Sequence, residues 1–279
     1  MTQQQQRIQQ VGRTLPVQPQ RSGWLVRHQQ RLLPIATVVA ILAIWEGLGR
    51  VAGWNPLFFS YPSQIWSGGL ELAQGPLWSD LRVSGTEFLL GMVISVLIAV
   101  PVGLVMGTSK RLYWAFDPIV SALYSTPVLV LAPMLVIWFG LGIASKVAIV
   151  VILSTFPVMI NLTEGVRNTD RVLLRAARSF GANRWNLNRD VVLPSVTPFF
   201  ITGLRLAVGR AMIGVIVGEY IASTQGIGYQ INADAELFAT SRYLAGVMVI
   251  VIFSVAVMEL LKFLEKRMAP WRHRELVRE

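Results

Sequence analysis

Cysteine is absent from the 279-residue chain, and histidine occurs only twice, at His28 and His273. The first absence excludes disulfides, thiolate metal sites and cysteine nucleophiles. The second leaves no imidazole cluster. Each histidine stands in a basic terminal segment without a ligand-type neighbour at helical spacing, so neither a metal site nor a catalytic residue is expected. Charge is also scarce. Asp, Glu, Lys and Arg make up 14% of the residues, against about 25% in soluble domains, whereas 53% are hydrophobic and the mean hydropathy is +0.54. Whole windows carry no charge: 22 residues between Glu87 and Lys110, 28 between Asp117 and Lys146, 17 between Lys146 and Glu164, and 16 between Arg242 and Glu259. A bilayer core of ~30 Å needs about 20 helical residues, and lipid leaves the backbone no partner outside its own segment. The composition therefore points to an all-α membrane protein.

Six transmembrane helices are expected, at about 32–49, 88–108, 118–140, 144–164, 197–222 and 243–264, with the third broken by Pro127 and Pro133. Aromatics and spaced prolines between the first two suit a short helix on the membrane surface, and a glycine-punctuated loop, STQGIGYQINADAELF, precedes the sixth. Residues 1–31 hold ten glutamines and five arginines but few large apolar residues. They form a flexible tail by composition, and nothing in them reads as a signal peptide. The transmembrane domain is 32–265, with a polar loop at 166–195, and 266–279 is a basic tail.

The formal net charge of +10 comes from 25 basic and 15 acidic residues. Nineteen basic residues fall in the two tails and the loops around 110 and 166–195, four (Arg50, Arg82, Lys146, Arg242) fall on the opposite side, and Arg205 and Arg210 lie within the fifth span. Basic residues in short loops mark the cytoplasmic side, which places both termini and the 166–195 loop of this multi-pass protein in the cytoplasm. No soluble basic face is available for nucleic acid.

The loop contains RAARSFGANRWNLNRDVVLP, residues 175–194. Read as helix, 171–180 puts Val172, Leu173, Ala176, Ala177 and Phe180 on one face. Gly181 suits the left-handed residue that ends a helix. Asn183 suits the cap of a second short piece, about 183–190, and Pro194 and Pro198 open the next span where a missing N–H costs little. The object is a helix–turn–helix on the cytoplasmic surface, fit for headgroups or for a partner's groove.

At these residues the chain resembles bacterial ABC-importer permeases. Arg175-Ala176-Ala177, three residues, Gly181, nine residues and Val191-Val192-Leu193-Pro194 reproduce the spacing of that family's "EAA" loop, Glu-Ala-Ala, three residues, Gly, nine residues, Ile-x-Leu-Pro. Arg175 departs from it, standing where the family usually has glutamate. YPSQIW (61–66), LAPMLVIWFGLGIASK (131–146), FPVMINLTEG (156–165), GLRLAVGRAMIGVIVGEYIAS (203–223) and GIGYQI (226–231) extend the resemblance over about 35–265, to the branch serving nitrate, bicarbonate, taurine, sulfonates and some aromatic or vitamin-precursor solutes.

The resemblance implies a type I importer permease fold. Arg175, Ala176, Ala177, Phe180, Gly181, Leu193 and Pro194 would form a coupling helix docked on an ATPase. The implied partners are two ABC ATPase subunits carrying ATP and Mg, a second permease copy and an extracytoplasmic solute-binding protein. This chain itself would bind no cofactor.

Charges inside a span normally face protein or water. Arg205 and Glu219 share a helical face about 21 Å apart, with Arg210 on the opposite side. One face is expected to line the translocation path, with Arg210 supplying positive potential for an anion. The bland alternative has Arg205 snorkelling to headgroups and Glu219 near the outer interface. Ser125, Thr126, Pro127 and Met134 form a second candidate lining, because proline breaks are tolerated at cavities. A kink fitting bundle curvature explains the prolines equally.

Asn161 and Thr163 read as hydrogen bonds inside the bundle, and Gly103/Gly107 and Gly214/Gly218 as close-packing pairs. GLVMGTSK (103–110) lacks phosphate-loop spacing and GIGYQI lacks a dinucleotide fingerprint. Three other readings compete: a secondary transporter or channel without an ATPase, a membrane enzyme, and a membrane anchor. No repeat or catalytic cluster favours the first two, and polar residues within the spans oppose the third.

Overall fold

In a computed structural model the described residues are 24–268, with side chains for 32–267. Most of the two tails, including the His28 side chain and all of His273, lies outside them. Every regular element among the described residues is helical. The chain divides into two units after Gly53.

The first unit contributes α1, Trp24–Val51. It begins eight residues inside the stretch read as a flexible tail. Its apolar window, Leu32–Val51, is long enough to span and is only 6% buried. Arg50 pairs with Glu46 at 2.7 Å one turn earlier.

The second unit holds α2 (Pro62–Gln74), α3 (Leu77–Thr108), α4 (Lys110–Ser125), α5 (Val128–Phe139), α6 (Ile143–Arg167), α7 (Arg171–Ser179), α8 (Arg184–Leu187), a π turn (Asn188–Val192), α9 (Leu193–Ala222), α10 (Ile227–Glu236) and α11 (Thr240–Met268). With α1, the helices α3, α6, α9 (continuous with α8) and α11 are long and apolar enough to cross a membrane. The sixth span is the bent pair α4–α5, whose axes meet at 91°.

The expected third span is corrected in two respects. It begins at Lys110, leaving Pro118 inside α4, and Pro127 alone makes the break, since Pro133 sits inside α5 without ending it. Thr126 and Pro127 both take extended backbone angles, at ψ 130° and 93°. Pro127 has no N–H and pushes the residue before it out of the helical region. The hydroxyls of Ser125 and Thr126 donate to the carbonyls of Ser121 and Ala122 at 2.7 and 2.9 Å, supporting the last turn of α4.

Helix α6 is the centre of the unit. Half of its apolar window is buried, against 11% for α11, and it packs lengthwise against both α3 and α9. The glycine pairs explain how closely. A Cβ on Gly103 would fall 2.9 Å from the Met159 carbonyl oxygen, and one on Gly107 2.5 Å from Val166 Cβ. On the other side, a Cβ on Gly214 would fall 3.1 Å from Val150 Cα, and one on Gly218 3.1 Å from Lys146 Cγ. Thr163 donates across the first seam to the Gly103 carbonyl at 3.2 Å, whereas Asn161 stays within its helix, donating to the Pro157 carbonyl at 2.8 Å. Ala99, Met106, Val158, Met159, Leu162, Val196 and Ala207 form a buried core between the three helices.

Candidate functional site

The 166–195 loop folds as its residues dictate. Asp170 caps α7, accepting from the Val172 amide at 2.7 Å, and Asn183 caps α8, accepting from the Asn186 amide at 2.8 Å. Gly181 takes φ +80° between them, a conformation only glycine adopts at no steric cost. Phe180 is the C-cap residue of α7. Beyond Leu187, the π turn joins α8 to α9 without a break, with Pro194 in the first turn of α9.

No residue of α7 is buried. Val172, Leu173, Phe180 and Trp185 are 61, 52, 93 and 72% exposed, so the loop presents an exposed apolar ridge flanked by arginines. Arg175 and Ala176 are exposed, Ala177 and Pro194 half-buried, and Leu193 exposed. Leu174 turns the other way, against the bundle core.

At the bend between α4 and α5 lies a cleft of about 470 Å³. Ser125, Thr126, Pro127 and Arg210 line it, with Tyr124 and Phe156. The Arg210 guanidinium sits 5.4 Å from the Tyr124 ring centroid. Among the described residues, no carboxylate lines this cleft. A guanidinium can donate charge-assisted hydrogen bonds to an anionic group, and the rings of Tyr124 and Phe156 offer apolar contact.

The remaining proposed path residues lie elsewhere. Met134 is exposed on α5 outside this lining. Arg205 forms an ion pair with Glu265 of α11 and so does not merely snorkel. Glu219 is fully buried near the end of α9 and lines no part of this cleft. Its carboxylate accepts from Ser84 Oγ and from the Gly228 amide, both at 2.6 Å.

Around Glu219 stands a polar cluster that sequence reasoning missed. Asp80 accepts from the Gly226 amide at 2.8 Å, and Ser84 Oγ from the Ile227 amide at 2.9 Å. Lys146 lies 3.2 Å from Glu87 and donates to Ser223 at 2.8 Å. The glycine-punctuated loop thus begins a helix, α10, whose first amides are satisfied by side chains from α3 and α9. Partners as far as 146 residues away in the chain leave no local signal.

The family described as "Binding-protein-dependent transport system inner membrane component" matches residues 95–270. The chain belongs to this family. The matched segment runs from α3 to α11 and contains both the exposed loop and the Arg210 cleft. The taurine transport system permease protein TauC of Escherichia coli (strain K12) is 34% identical over 87% of this chain and 90% of its own length. A probable ABC transporter permease protein of Haemophilus influenzae is 32% identical over 80% of this chain and 94% of its own. The putative aliphatic sulfonates transport permease protein SsuC of Bacillus subtilis (strain 168) is 28% identical over 91 and 90%. A solved inward-facing MetNI methionine ABC transporter shares the fold, with a TM-score of 0.51 at 18% identity over 70% of this chain and 93% of that one. The chain is a multi-pass inner-membrane permease of the ABC-transporter type, with a type I permease fold.

Proposed function

We propose that the chain forms half of the translocation pathway of an ATP-driven importer for a small anionic solute of the sulfonate class. Two ATPase subunits hold the ATP and Mg, a second copy of this chain completes the pathway, and an extracytoplasmic binding protein delivers the solute. The distribution of basic residues supports a cytoplasmic location for both termini and the 166–195 loop.

The observation that carries the reading is the exposed apolar ridge of α7 and Trp185: no residue of α7 is buried, and two caps and a glycine shape the turn beside it. A ridge that is exposed among the described residues fits a partner's groove. Closure of two ATPases would move two such ridges, and the π turn passes that motion into α9, which carries Arg210. The sulfonate class rests on the Arg210 cleft together with the names of the taurine and sulfonate relatives.

Retention of a phosphate-loop ATPase by the solubilised chain tests the reading. The wild type should hold it, and the double variant Ala177→Asp, Gly181→Pro should release it. Equal retention by both would overturn the docking role, leaving transport without an ATPase as the reading to test by gradient-driven uptake.

A further inference from the structure

The buried polar cluster at the end of α9 opposite the loop has no part in docking an ATPase or in lining the Arg210 cleft. Its bonds are nonetheless directional and enclosed. Asp80, Glu87, Lys146 and Glu219 are at most 6% exposed. Four hydrogen bonds of 2.6–2.9 Å tie α3, α9 and the start of α10 together through Asp80, Ser84 and Glu219. Lys146 adds α6 through Glu87 and Ser223.

The fit is tight as well as polar. A Cβ on Gly226, which has φ +111°, would fall 2.1 Å from a Glu219 oxygen, and one on Gly228 2.9 Å from the other. Separating these helices would strand several buried polar groups at once, each costly when left unpaired.

The contrast is with α4 and α5. Among the described residues, no hydrogen bond or ion pair joins either helix to α3, α6 or α9. The contacts are apolar or stacking: Ala132 and Leu135 against Ile149, Tyr124 beside Phe156 at 6.4 Å between centroids, and Arg167 over the Tyr113 ring at 3.6 Å. The last holds the near end of α4, and the 470 Å³ cleft opens beside its far end. Apolar surfaces slide with little loss, whereas paired buried charges do not.

We propose that Glu219 and Asp80, with Lys146 joining α6, are positioning residues that clamp α3, α6, α9 and α10 into one block, and that the Arg210 cleft opens and closes by movement of α4–α5 about the Thr126–Pro127 bend. This rests on the importer reading, and it adds which part of the chain moves and what keeps the rest still.

The native chain has no cysteine, so introduced thiols are the only targets in it for a short bifunctional thiol reagent. One pair, Arg82→Cys with Gln225→Cys, spans the clamp, and both residues line the same outer cleft. The other, Leu129→Cys with Ile213→Cys, spans the Arg210 cleft. Each is assembled with its ATPase and binding-protein partners in proteoliposomes, and ATP hydrolysis is read before and after cross-linking.

The clamp cross-link should leave turnover within about twofold, and the cleft cross-link should lower it about tenfold or more. Arrest by the clamp cross-link, or no effect of the cleft cross-link, overturns the proposal. Taurine uptake is measured on the same vesicles. Its absence beside the expected hydrolysis pattern would sink the sulfonate reading and leave the hinge standing.

Discussion

Arg205 of α9 and Glu265 of α11, sixty residues apart, form a direct ion pair. Glu265 is 12% exposed and Arg205 39%, so the pair is neither a free surface bridge nor a fully dry one. Its work is to join two helices. Arg205→Gln should lower thermal stability in detergent by about 1–2 kcal/mol, between surface and buried pairs, and leave the KM for uptake unchanged. A raised KM with unaltered stability would place Arg205 back in the path.

Arg210 should behave in the opposite way. Among the described residues no hydrogen bond or ion pair holds its guanidinium, which lies 5.4 Å from the Tyr124 ring centroid, so removing it strands no polar partner and spares the fold. Losing one charge-assisted hydrogen bond to an anion costs about 1.5–3 kcal/mol. On the sulfonate proposal, with taurine as the probe, Arg210→Gln should raise the KM for uptake about tenfold or more, with normal expression and ATPase retention. Tyr124→Leu should cost less, since an exposed cation–π contact is worth about 0.5–1 kcal/mol. An unchanged KM in Arg210→Gln would remove the residue from the solute's route.

The seams of α6 can be tested by adding single methyl groups. Gly103→Ala would drive a Cβ to 2.9 Å from backbone at Met159, whereas at Gly47 nothing lies within 4 Å. Overpacking a tight core costs about 1–3 kcal/mol. Gly103→Ala should shorten the folded lifetime in detergent, and Gly47→Ala should not. Equal lifetimes would mean that the α3–α6 seam relaxes freely.

Gly181 separates conformation from crowding. A Cβ there meets nothing within 4 Å, but φ is +80°. Gly181→Ala should weaken ATPase retention through a backbone cost of about 1–2 kcal/mol, while Gly181→Asn, which tolerates this region better, should retain most of it. Identical loss in both variants would trace the effect to the side chain instead.

Local chemistry made much of this readable. Gly181 and Pro194 set the loop's turns through their own backbones and Asn183 through its side chain, and Pro127 broke its span by removing a donor and pushing Thr126 out of the helical region. Pro133 misled because one lost bond inside α5 does not end a helix already supported on both sides. The first turns of α3 were missed because Asp80, Arg82 and Glu87 looked too polar for a span. Their helix is stabilised by Glu219, Lys146 and the α10 amides, which sequence spacing cannot bring together. Arg205 was ambiguous for the same reason, its partner lying on another helix.

The π turn at Asn188–Val192 has a rotational consequence. Such a turn holds one residue more than an α-turn, and each helical residue advances the azimuth by about 100°. Deleting one residue from this turn would leave both flanking sequences intact but swing the Phe180–Trp185 ridge about 100° around the α9 axis. The two surfaces would then be out of phase, each correctly made and aimed in the wrong direction. The turn acts as the chain's phase setting: it determines which way the ridge points when Arg210 faces its cleft.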